Sequence, residues 1–424
     1  MTVSGALLID HFVRQWAELH EREWELTPLH TLTEKARHAL GTDGCRAALA
    51  LLSVWNQHQP KFPTWRHLAA DRQSAEQASG ERAARWRAGR LSGCTRILDL
   101  CCGIGGDAIA LSSHCEHLVA IDRDFQRALC ARFNVSSFGH GDRTDVVCSD
   151  VGAVLPAAEA AVLDPDRRPG GRRVIRPELY EPPACLWAQI RKSVRTLAVK
   201  VAPGIPFDAI PADAVPEFVE DRGECREAVL WFGERKPHAR TAVILGAGST
   251  VTASCIDASA PESFQKGEVG RFVYDPSPAV VRAQLVTHLA AKLSAWRLDD
   301  RIAYLSSDSL VETPFARGFE VLSVIPFSLK RLRAHLRDKR VGAVEIRTRR
   351  FPVNPDELRP MLDLRGPESA TVILTRVRGN ALAIVCRQGN SGDLIWADPC
   401  GQIIAMGTPL FVFDAKSHTN RSRA

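Results

Sequence analysis

The stretch RILDLCCGIGGDAIALSSH, residues 96–114, joins a short apolar run to a glycine-rich turn and then to a helical pattern. The apolar run at 96–100 predicts a β-strand. Gly103, Gly105 and Gly106 follow it, at the kind of position where the backbone must turn tightly and approach a ligand closely. A helix that opens there presents free backbone N–H groups. The stretch therefore predicts a strand, a ligand-binding turn and a helix.

The same alternation continues towards the C-terminus. Four more apolar runs, separated by helix-like stretches, predict strands at 117–121, 145–150, 160–164 and 196–201. Alternating strands and helices indicate a parallel sheet with helices on both faces. Three later runs extend this sheet, at 217–221, 228–233 and 241–246. We expect the last two to form an antiparallel pair at the end of the sheet, because a basic turn separates them.

Three aspartates favour a cofactor that carries no phosphate. Asp99 precedes the glycine turn, where a carboxylate would repel a pyrophosphate but could bind a cationic amino acid. Asp122 comes nineteen residues after Gly103 and could accept hydrogen bonds from ribose hydroxyls. Asp150 ends the third predicted strand and could accept from an adenine amino group. Together they predict S-adenosylmethionine, while the G-x-G-x-x-A spacing keeps a dinucleotide as the competing interpretation.

Composition limits the class of protein. The chain has 424 residues, of which 45% are hydrophobic and 25% charged, as expected of two or three folded domains. Its twelve cysteines are scattered without zinc-ligand spacing, so we expect no metal site and reduced thiols in a cytoplasmic protein. Apolar runs stay below about 18 residues and the N-terminus lacks a basic start, so we expect neither a membrane span nor a signal peptide.

The motifs of the predicted sheet stand in the order of a known family. The chain resembles the class I S-adenosylmethionine-dependent methyltransferases in DLCCGIGGD (99–107), AID (120–122), SD (149–150) and LDPDRR (163–168). More narrowly, it is similar to bacterial methyltransferases that carry a THUMP-like C-terminal domain. That resemblance covers roughly residues 75–390 and includes EQASGERAARWRAGRL (76–91), VKVAPGI (199–205), GECREAVLWFG (223–233), YDPSPAVVRA (274–283) and RRFPVNPDELRPML (349–362). A weaker similarity links the turn and its preceding helix to trimethylguanosine synthases.

The resemblance implies an α/β fold with a Rossmann-like sheet, a helical N-terminal region and an α+β C-terminal domain of the ferredoxin-like or THUMP-like type. We expect six parts: a helical region at 1–90, a methyltransferase domain at 91–250, a linker at 251–270, a ferredoxin-like segment at 271–318, a THUMP-like domain at 319–412 and a flexible tail at 413–424.

The resemblance also implies where S-adenosylmethionine would bind. The glycine turn would hold the methionine and ribose parts, the second strand the ribose and the third strand the adenine. The residues with these roles are Asp99, Cys101, Gly103, Gly105, Gly106, Asp107, Asp122 and Asp150. For Asp107, in the first turn of a predicted helix, the alternative is a helix-capping role alone.

Asp164 ends the fourth predicted strand, beside the expected position of the methyl group. In amine methyltransferases an aromatic residue that stacks on the acceptor follows here, but this chain continues with Pro165, Asp166 and Arg167. Neither this motif nor VKVAPG supplies a nucleophilic cysteine, which favours direct SN2 transfer without a covalent intermediate. Lys200 would orient Asp164 or contact an acceptor phosphate, unless it is simply an exposed lysine. The catalytic candidates are Asp164, Pro165, Arg167 and Lys200.

Charge is unevenly distributed along the chain. The formal net charge is +6. Residues 330–350 contain nine basic and two acidic residues, so this segment holds the whole positive excess. Such a cluster predicts contact with a polyanion, and the arginines after Asp164 add a second basic group. The RNA-binding candidates are Arg168, Arg172, Arg173, Lys330, Arg331, Arg333, Arg337, Arg340, Arg349 and Arg350. The alternative is a solvated loop and a solvated helix face.

These observations favour methylation of an RNA base, in tRNA or rRNA, because THUMP domains accompany tRNA-modifying enzymes. Two alternatives remain open. One is a methyltransferase that acts on a protein or small molecule. The other is an RNA-binding protein that keeps the fold without turnover; the intact Gly103, Gly105 and Asp150 argue against it, and the missing aromatic after Asp164 keeps it open.

Overall fold

A computed structural model describes residues 53–65, 68–153, 155–172, 174–246, 253–258 and 265–388, with residues 37, 38, 42, 50 and 51. More than half of the region expected to be helical at 1–90 lies outside these residues, as do Arg173 and the expected tail at 413–424. Residues 53–58 are helical, and α1 (Arg72–Gln77) and α2 (Glu81–Arg90) precede the first strand. No helix in the described part of the chain has the length and hydrophobicity needed to span a bilayer.

Nine strands form the larger of two sheets. They are β1 (Cys94–Leu100), β2 (Cys115–Asp122), β3 (Thr144–Cys148), β4 (Ala160–Leu163), β5 (Thr196–Val201), β6 (Val215–Asp221), β7 (Glu224–Gly233), β8 (Thr241–Leu245) and β9 (Ala253–Asp257). Their order is β3-β2-β1-β4-β5-β7-β6-β8-β9. Strands β1 to β5 are parallel, which confirms the expected α/β class. Three helices lie between them: α3 (Gly106–Ser112), α4 (Phe125–Ser137) and α5 (Trp187–Ser193).

The central strands are buried on both faces, which explains why they appear in the sequence as continuous apolar runs. In β1, Leu98 and Leu100 pack into one core and Ile97 into the other, as alternating side chains of a strand must. Leu100 pairs with Ile121 of β2 and with Leu163 of β4. The carboxyl ends of these three strands therefore lie side by side, and the glycine turn begins there.

The end of the larger sheet differs from the expectation. The predicted antiparallel pairing of 228–233 with 241–246 is wrong, because β6 lies between β7 and β8. β6 runs antiparallel to β7 and parallel to β8. Arg222 and Gly223 join β6 to β7 with φ values of 54° and 77°, the geometry of a tight two-residue hairpin turn. This short connection places β6 next to β7. The longer basic turn between β7 and β8 then crosses β6, so that β8 pairs with the other edge of β6.

The linker expected at 251–270 contains a strand within its described part. β9 pairs antiparallel with β8 and forms the edge of the larger sheet. Ala253 and Ile256 of β9 are buried. Two apolar residues in a stretch rich in Ser and Ala make too weak a pattern to predict a strand, so this strand is visible only through its pairing.

Seven strands form the smaller sheet. They are β10 (Phe272–Pro276), β11 (Trp296–Arg297), β12 (Leu305–Ser307), β13 (Ala316–Pro326), β14 (Val341–Thr348), β15 (Glu368–Val377) and β16 (Asn380–Gln388). Their order is β11-β12-β10-β13-β16-β15-β14. Helices α8 (Leu329–Asp338) and α9 (Pro355–Leu362) pack on one face, where Leu332 and Leu358 share a core with the strands. Over the described residues, the parts expected at 271–318 and 319–412 thus share one sheet.

The two sheets are joined by a common hydrophobic core. β10 belongs to the smaller sheet, and α6 (Pro278–Arg282) and α7 (Val286–Lys292) follow it. α6 packs on β6, β7 and β8 of the larger sheet. Ala279 and Val280 of α6 are fully buried in the same core as Phe218, and the Ala279 N–H donates to the Glu220 carboxylate at 3.0 Å. The smaller sheet is therefore fixed against the larger one.

Candidate functional site

The glycine turn between β1 and α3 has a backbone conformation that most side chains disfavour. Cys101, Gly103 and Gly105 have φ values of 60°, 57° and 84°, in the left-handed region. A Cβ on Gly105 would lie 3.1 Å from the backbone of Ala131, so only glycine lets the turn pack this closely on α4. The Gly103 N–H donates to Asp122 Oδ2 at 2.8 Å. This bond ties the turn to the end of β2.

A cavity of 510 Å³ opens at this turn, at the carboxyl edge of the larger sheet. Its volume is within the range of small-molecule sites. Ten of the predicted site residues line it: Cys101, Gly103, Gly106, Asp107, Asp122, Asp150, Asp164, Pro165, Arg167 and Arg168. Asp99, Gly105, Lys200 and Arg172 do not. Residues 74–79, which run from the second half of α1 into the loop before α2, form another part of the wall, apart from Ala75.

Two carboxylates are held at the cavity by backbone groups. Asp122 accepts from the N–H of Gly103 through Oδ2 and from the N–H of Asp124 through Oδ1, at 2.8 and 2.9 Å. Asp150 accepts from the N–H of Gly152 at 2.7 Å and is exposed. Because each carboxylate oxygen has two lone pairs, both groups keep acceptor capacity for a ligand.

Asp99 is buried, with 1% of its surface exposed. Neither of its carboxyl oxygens has a hydrogen-bond partner among the described residues. Burial, and next the charge of Asp107, raise the pKa of Asp99 well above its usual range. A buried carboxyl without a partner is costly to ionise, so this environment favours the neutral form of Asp99, next to the glycine turn.

A buried group of charges borders the cavity on the side of α2. Arg87 is fully buried and forms ion pairs with Asp107 of α3 and Glu227 of β7. Arg87 Nε donates to Asp107 Oδ1 at 3.1 Å, and Ser79 Oγ donates to Asp107 Oδ2 at 2.6 Å. Burial opposes the charge on Asp107, but Arg87 and Lys200 outweigh it and lower its pKa. Burial also opposes the charge on Arg87, whose pKa Asp107 and Glu227 raise.

Lys200 extends this group to the end of β4. It is 2% exposed and forms an ion pair with Asp164. Its Nζ also donates to Ser79 Oγ at 2.5 Å and to Asp107 Oδ2 at 3.4 Å. Burial favours the neutral amine, but Asp164 and Asp107 raise the pKa of Lys200. The interpretation as an exposed lysine is wrong, because the side chain is buried, and burial also keeps it from an acceptor phosphate.

Sequence reasoning missed Ser79, Arg87 and Glu227. The signal for Arg87 is present in α2, where it follows Ala84 by three residues and precedes Leu91 by four. These three positions lie on one face of a helix, and Ala84 and Leu91 are fully buried. A charged residue in an apolar helical stripe indicates a buried ion pair. Its partners, on α3 and β7, cannot be read from the spacing.

Lys61 connects this region to the chain before α1. Its Nζ donates to the backbone carbonyls of Ala75 and Glu76, at 2.8 and 2.9 Å. Burial, and next the charge of Lys200, lower the pKa of Lys61 to about 8. The contact holds the C-terminal end of α1 in place, and with it the segment that lines the cavity.

The thiols near the turn are not poised as nucleophiles. Burial raises the pKa of Cys101 and of Cys102, so both are thiols rather than thiolates. Cys185 is exposed and also lines the cavity. Sequence reasoning, which considered only the ends of β4 and β5, missed it. In the part of the chain that the structure describes, no group of three or more His, Cys, Asp or Glu side chains could hold a metal ion.

The predicted RNA-binding residues fall into two classes. Three are held by protein partners: Arg333 by the Met361 carbonyl, Arg337 by Asp363 and Arg349 by Asp275. Six are exposed and have no side-chain partner among the described residues: Arg168, Arg172, Lys330, Arg331, Arg340 and Arg350. The second class is available to a polyanion, whereas the first stabilises the C-terminal part of the fold. Arg167, a catalytic candidate, belongs to neither class. Its Nη1 donates to the Val201 carbonyl at 3.3 Å.

Comparisons with known proteins agree with this geometry. Residues 94–167 match the family described as RNA cap guanine-N2 methyltransferase, and residues 316–388 match the family described as THUMP domain-like. The chain is 35% identical over 328 residues to uncharacterised S-adenosylmethionine-dependent methyltransferases of two Mycobacterium tuberculosis strains, covering 74% of this chain and 87% of each relative. A crystal structure from Porphyromonas gingivalis W83, described as a methyltransferase, superposes with a TM-score of 0.72 at 21% identity, covering 92% of this chain and 100% of that one.

Proposed function

This chain belongs to the S-adenosylmethionine-dependent methyltransferases, and from that premise we propose that it methylates a base of RNA by direct displacement. S-adenosylmethionine is the methyl donor of the family. The acceptor class and the roles of individual residues are our proposal. The Asp164 side chain, fixed on the cavity wall by its ion pair with buried Lys200, is the observation that carries it.

The cavity suits a cationic donor. S-adenosylmethionine supplies its methyl group from a positively charged sulfonium. The cavity is lined by more acidic than basic side chains. The seven acidic residues are Glu76, Asp107, Asp122, Asp150, Asp164, Asp166 and Glu181, and the four basic ones are Arg123, Arg127, Arg167 and Arg168. This formal excess of acidic residues favours a positively charged ligand.

The rest of the cavity suits the other parts of the donor. The left-handed glycine turn leaves space for its methionine part. Asp122 would accept from the ribose hydroxyls and Asp150 from the adenine amino group. Asp99 has two carboxyl oxygens without a partner in the described structure, next to the turn that would hold the amino acid.

Asp164 is placed to align the acceptor. Its carboxylate would accept a hydrogen bond from the base and hold the nucleophilic atom in line with the methyl group. The new bond to carbon forms as the carbon–sulfur bond breaks, the electron pair of that bond stays on sulfur, and the proton that the acceptor atom loses passes to water. Alignment of this kind accounts for up to about 7–11 kcal/mol of a barrier. Lys200 fixes the orientation of Asp164 through their ion pair, so it is a positioning residue.

Direct displacement fits the thiols of the site. A covalent route to a pyrimidine carbon requires a thiolate nucleophile. The Cys101 and Cys102 thiols have raised pKa values, and Asp164 rather than a cysteine follows β4. These features support a route without an enzyme-bound intermediate.

Two regions support RNA as the acceptor. Residues 94–167 match a family whose description names RNA, and residues 316–388 match a THUMP-like family. Lys330, Arg331 and Arg340 are exposed on the smaller sheet's side of the molecule. They could contact the phosphates that flank the methylated base.

The test separates transfer from donor binding. Asp164→Ala should abolish methyl transfer to bulk bacterial tRNA and rRNA while calorimetry shows S-adenosylmethionine affinity within a few-fold of the parent. Asp208→Ala, which changes an exposed aspartate that does not line the cavity, is the matched control. A parallel loss of transfer and donor affinity in Asp164→Ala would assign Asp164 to folding or donor binding instead.

A further inference from the structure

The described part of the cavity wall contains no aromatic side chain: none of the described residues that line it is Phe, Tyr, Trp or His. Stacking on a flat surface fixes the plane in which the atoms of a base lie. Among the described residues, a planar group other than an aromatic ring would have to supply this surface if the acceptor is a base.

Four arginine side chains line the cavity, and a guanidinium is the other planar group on which bases stack. Three of them donate hydrogen bonds within the protein: Arg123 to Glu181 at 2.5 Å, Arg127 to Gln77 at 3.3 Å and Arg167 to Val201 at 3.3 Å. The Arg168 guanidinium has no partner among the described residues and is exposed. Arg168 is thus the planar group at the cavity that remains available.

The backbone around Arg168 is firmly held. Its N–H donates to Asp166 Oδ1 at 2.8 Å, and its carbonyl accepts from Gly171 at 2.8 Å. Asp166 and Glu181 exchange two backbone hydrogen bonds, of 2.7 and 3.0 Å. The backbone from which the Arg168 side chain extends is therefore fixed. Arg168 lies four residues after Asp164 in sequence, and both residues line the cavity.

We infer that the Arg168 guanidinium stacks on the acceptor base and holds it flat beside Asp164, in place of the absent aromatic. This inference rests on the proposed function and names the residue that positions its substrate. Pro165, Pro182 and Pro183 line the same cavity and offer apolar surface to the rest of the base. Stacking uses the plane of the guanidinium, whereas a phosphate contact uses only its charge and donors.

The experiment separates the contribution of the planar surface of the Arg168 guanidinium from that of its positive charge. Arg168→Tyr keeps a planar surface and loses the charge, Arg168→Lys keeps the charge and loses the plane, and Arg168→Ala loses both. Arg176→Ala is the matched control, because Arg176 is exposed eight residues further along the chain, is paired with Asp208 and does not line the cavity. Each protein is assayed for kcat/KM of methyl transfer to bulk bacterial tRNA and rRNA at several salt concentrations. Calorimetry with S-adenosylmethionine reports donor binding.

Stacking predicts that Arg168→Tyr stays within a few-fold of the parent, while Arg168→Lys and Arg168→Ala lose about 5- to 150-fold in kcat/KM, the range for removal of a stacked side chain. Donor affinity should not change, and Arg176→Ala should keep the parent's kcat/KM. The inference is overturned in favour of a phosphate contact if Arg168→Lys keeps the parent's kcat/KM while Arg168→Tyr loses it and shows a weaker salt dependence. Parent-like rates for all three would overturn it outright. If the parent methylates no RNA, the proposed function itself has failed.

Discussion

Two groups of cationic side chains in this protein differ in their burial and in their ion pairing. Arg87 and Lys200 are buried, and each faces two carboxylates. Lys330, Arg331 and Arg340 are exposed and face no carboxylate in the described structure. Taking a charge out of water is so costly that a buried cation must be paired, whereas an exposed cation can stay unpaired until a partner arrives. The difference separates the charges at the proposed methyl-transfer site from those that could recruit its substrate.

The largest expected difference between the two groups is in stability, when one cation is removed from each. Arg87→Met removes the ion-pair partner of buried Glu227 and one of the two cations paired with Asp107, and should lower the free energy of unfolding by about 3–5 kcal/mol. Arg331→Met is the matched control and should change it by less than about 0.5 kcal/mol. Urea unfolding followed by circular dichroism measures both. Small and equal effects would mean that the Arg87 group does not depend on pairing.

A carboxylate at the cavity should affect the donor and leave RNA binding unchanged. Asp122→Ala removes an acceptor proposed to bind the ribose hydroxyls and should weaken S-adenosylmethionine binding by about 1.5–3 kcal/mol. Calorimetry measures the affinity, with NAD as the competing ligand from the dinucleotide interpretation. Because Asp122 also accepts from Gly103, circular dichroism must show an intact fold. Unchanged donor affinity in the folded variant would remove Asp122 from the donor site.

The exposed cations should show the reverse behaviour. Replacing Lys330, Arg331, Lys339 and Arg340 with Gln should weaken RNA binding and flatten its salt dependence, by about 0.7–0.9 in logarithmic slope for each phosphate that is no longer neutralised. Donor affinity should stay the same. Arg333 and Arg337 are left unchanged, because they hold Met361 and Asp363 next to α9. Lower RNA affinity with an unaltered salt slope would indicate damage to the smaller sheet rather than weaker binding of phosphates.

The smallest effect is expected at the exposed cysteine of the cavity. Cys185→Ser should keep kcat for methyl transfer within about two-fold, because direct displacement needs no nucleophilic thiol. Single-turnover transfer to tRNA and rRNA measures it, with denaturing gels to detect any RNA bound covalently to the parent. Loss of transfer in this variant, or a covalent complex in the parent, would contradict direct displacement.

The sequence predicted the features that are local in the chain. Gly103 and Gly105 mark a turn by their residue type, and Asp122 and Asp164 follow apolar runs that become strands. The structure places these residues at one sheet edge because parallel strands end there together. The position of β6 was not predictable, because strand pairing depends on a hairpin turn at Arg222 and on packing between segments distant in sequence.

The sequence also did not indicate which charged residues form ion pairs. Arg87 meets Glu227 across 140 residues, and Arg349 meets Asp275 across 74. A count of basic residues treats Arg349 and Arg331 alike, although one is held by a carboxylate and the other is exposed. Net charge therefore located the basic segment, whereas only the fold distinguishes its structural members from those available to RNA.

The most direct test follows the methyl group itself. The purified protein is incubated with methyl-labelled S-adenosylmethionine and a bacterial extract, which is then divided into RNA, protein and small-molecule fractions. We expect the label in the RNA fraction, in a methylated base identified by nucleoside mass spectrometry, and its absence with Asp164→Ala. Label in the protein or small-molecule fraction, with none in RNA, would contradict the account and identify a different acceptor for the same site.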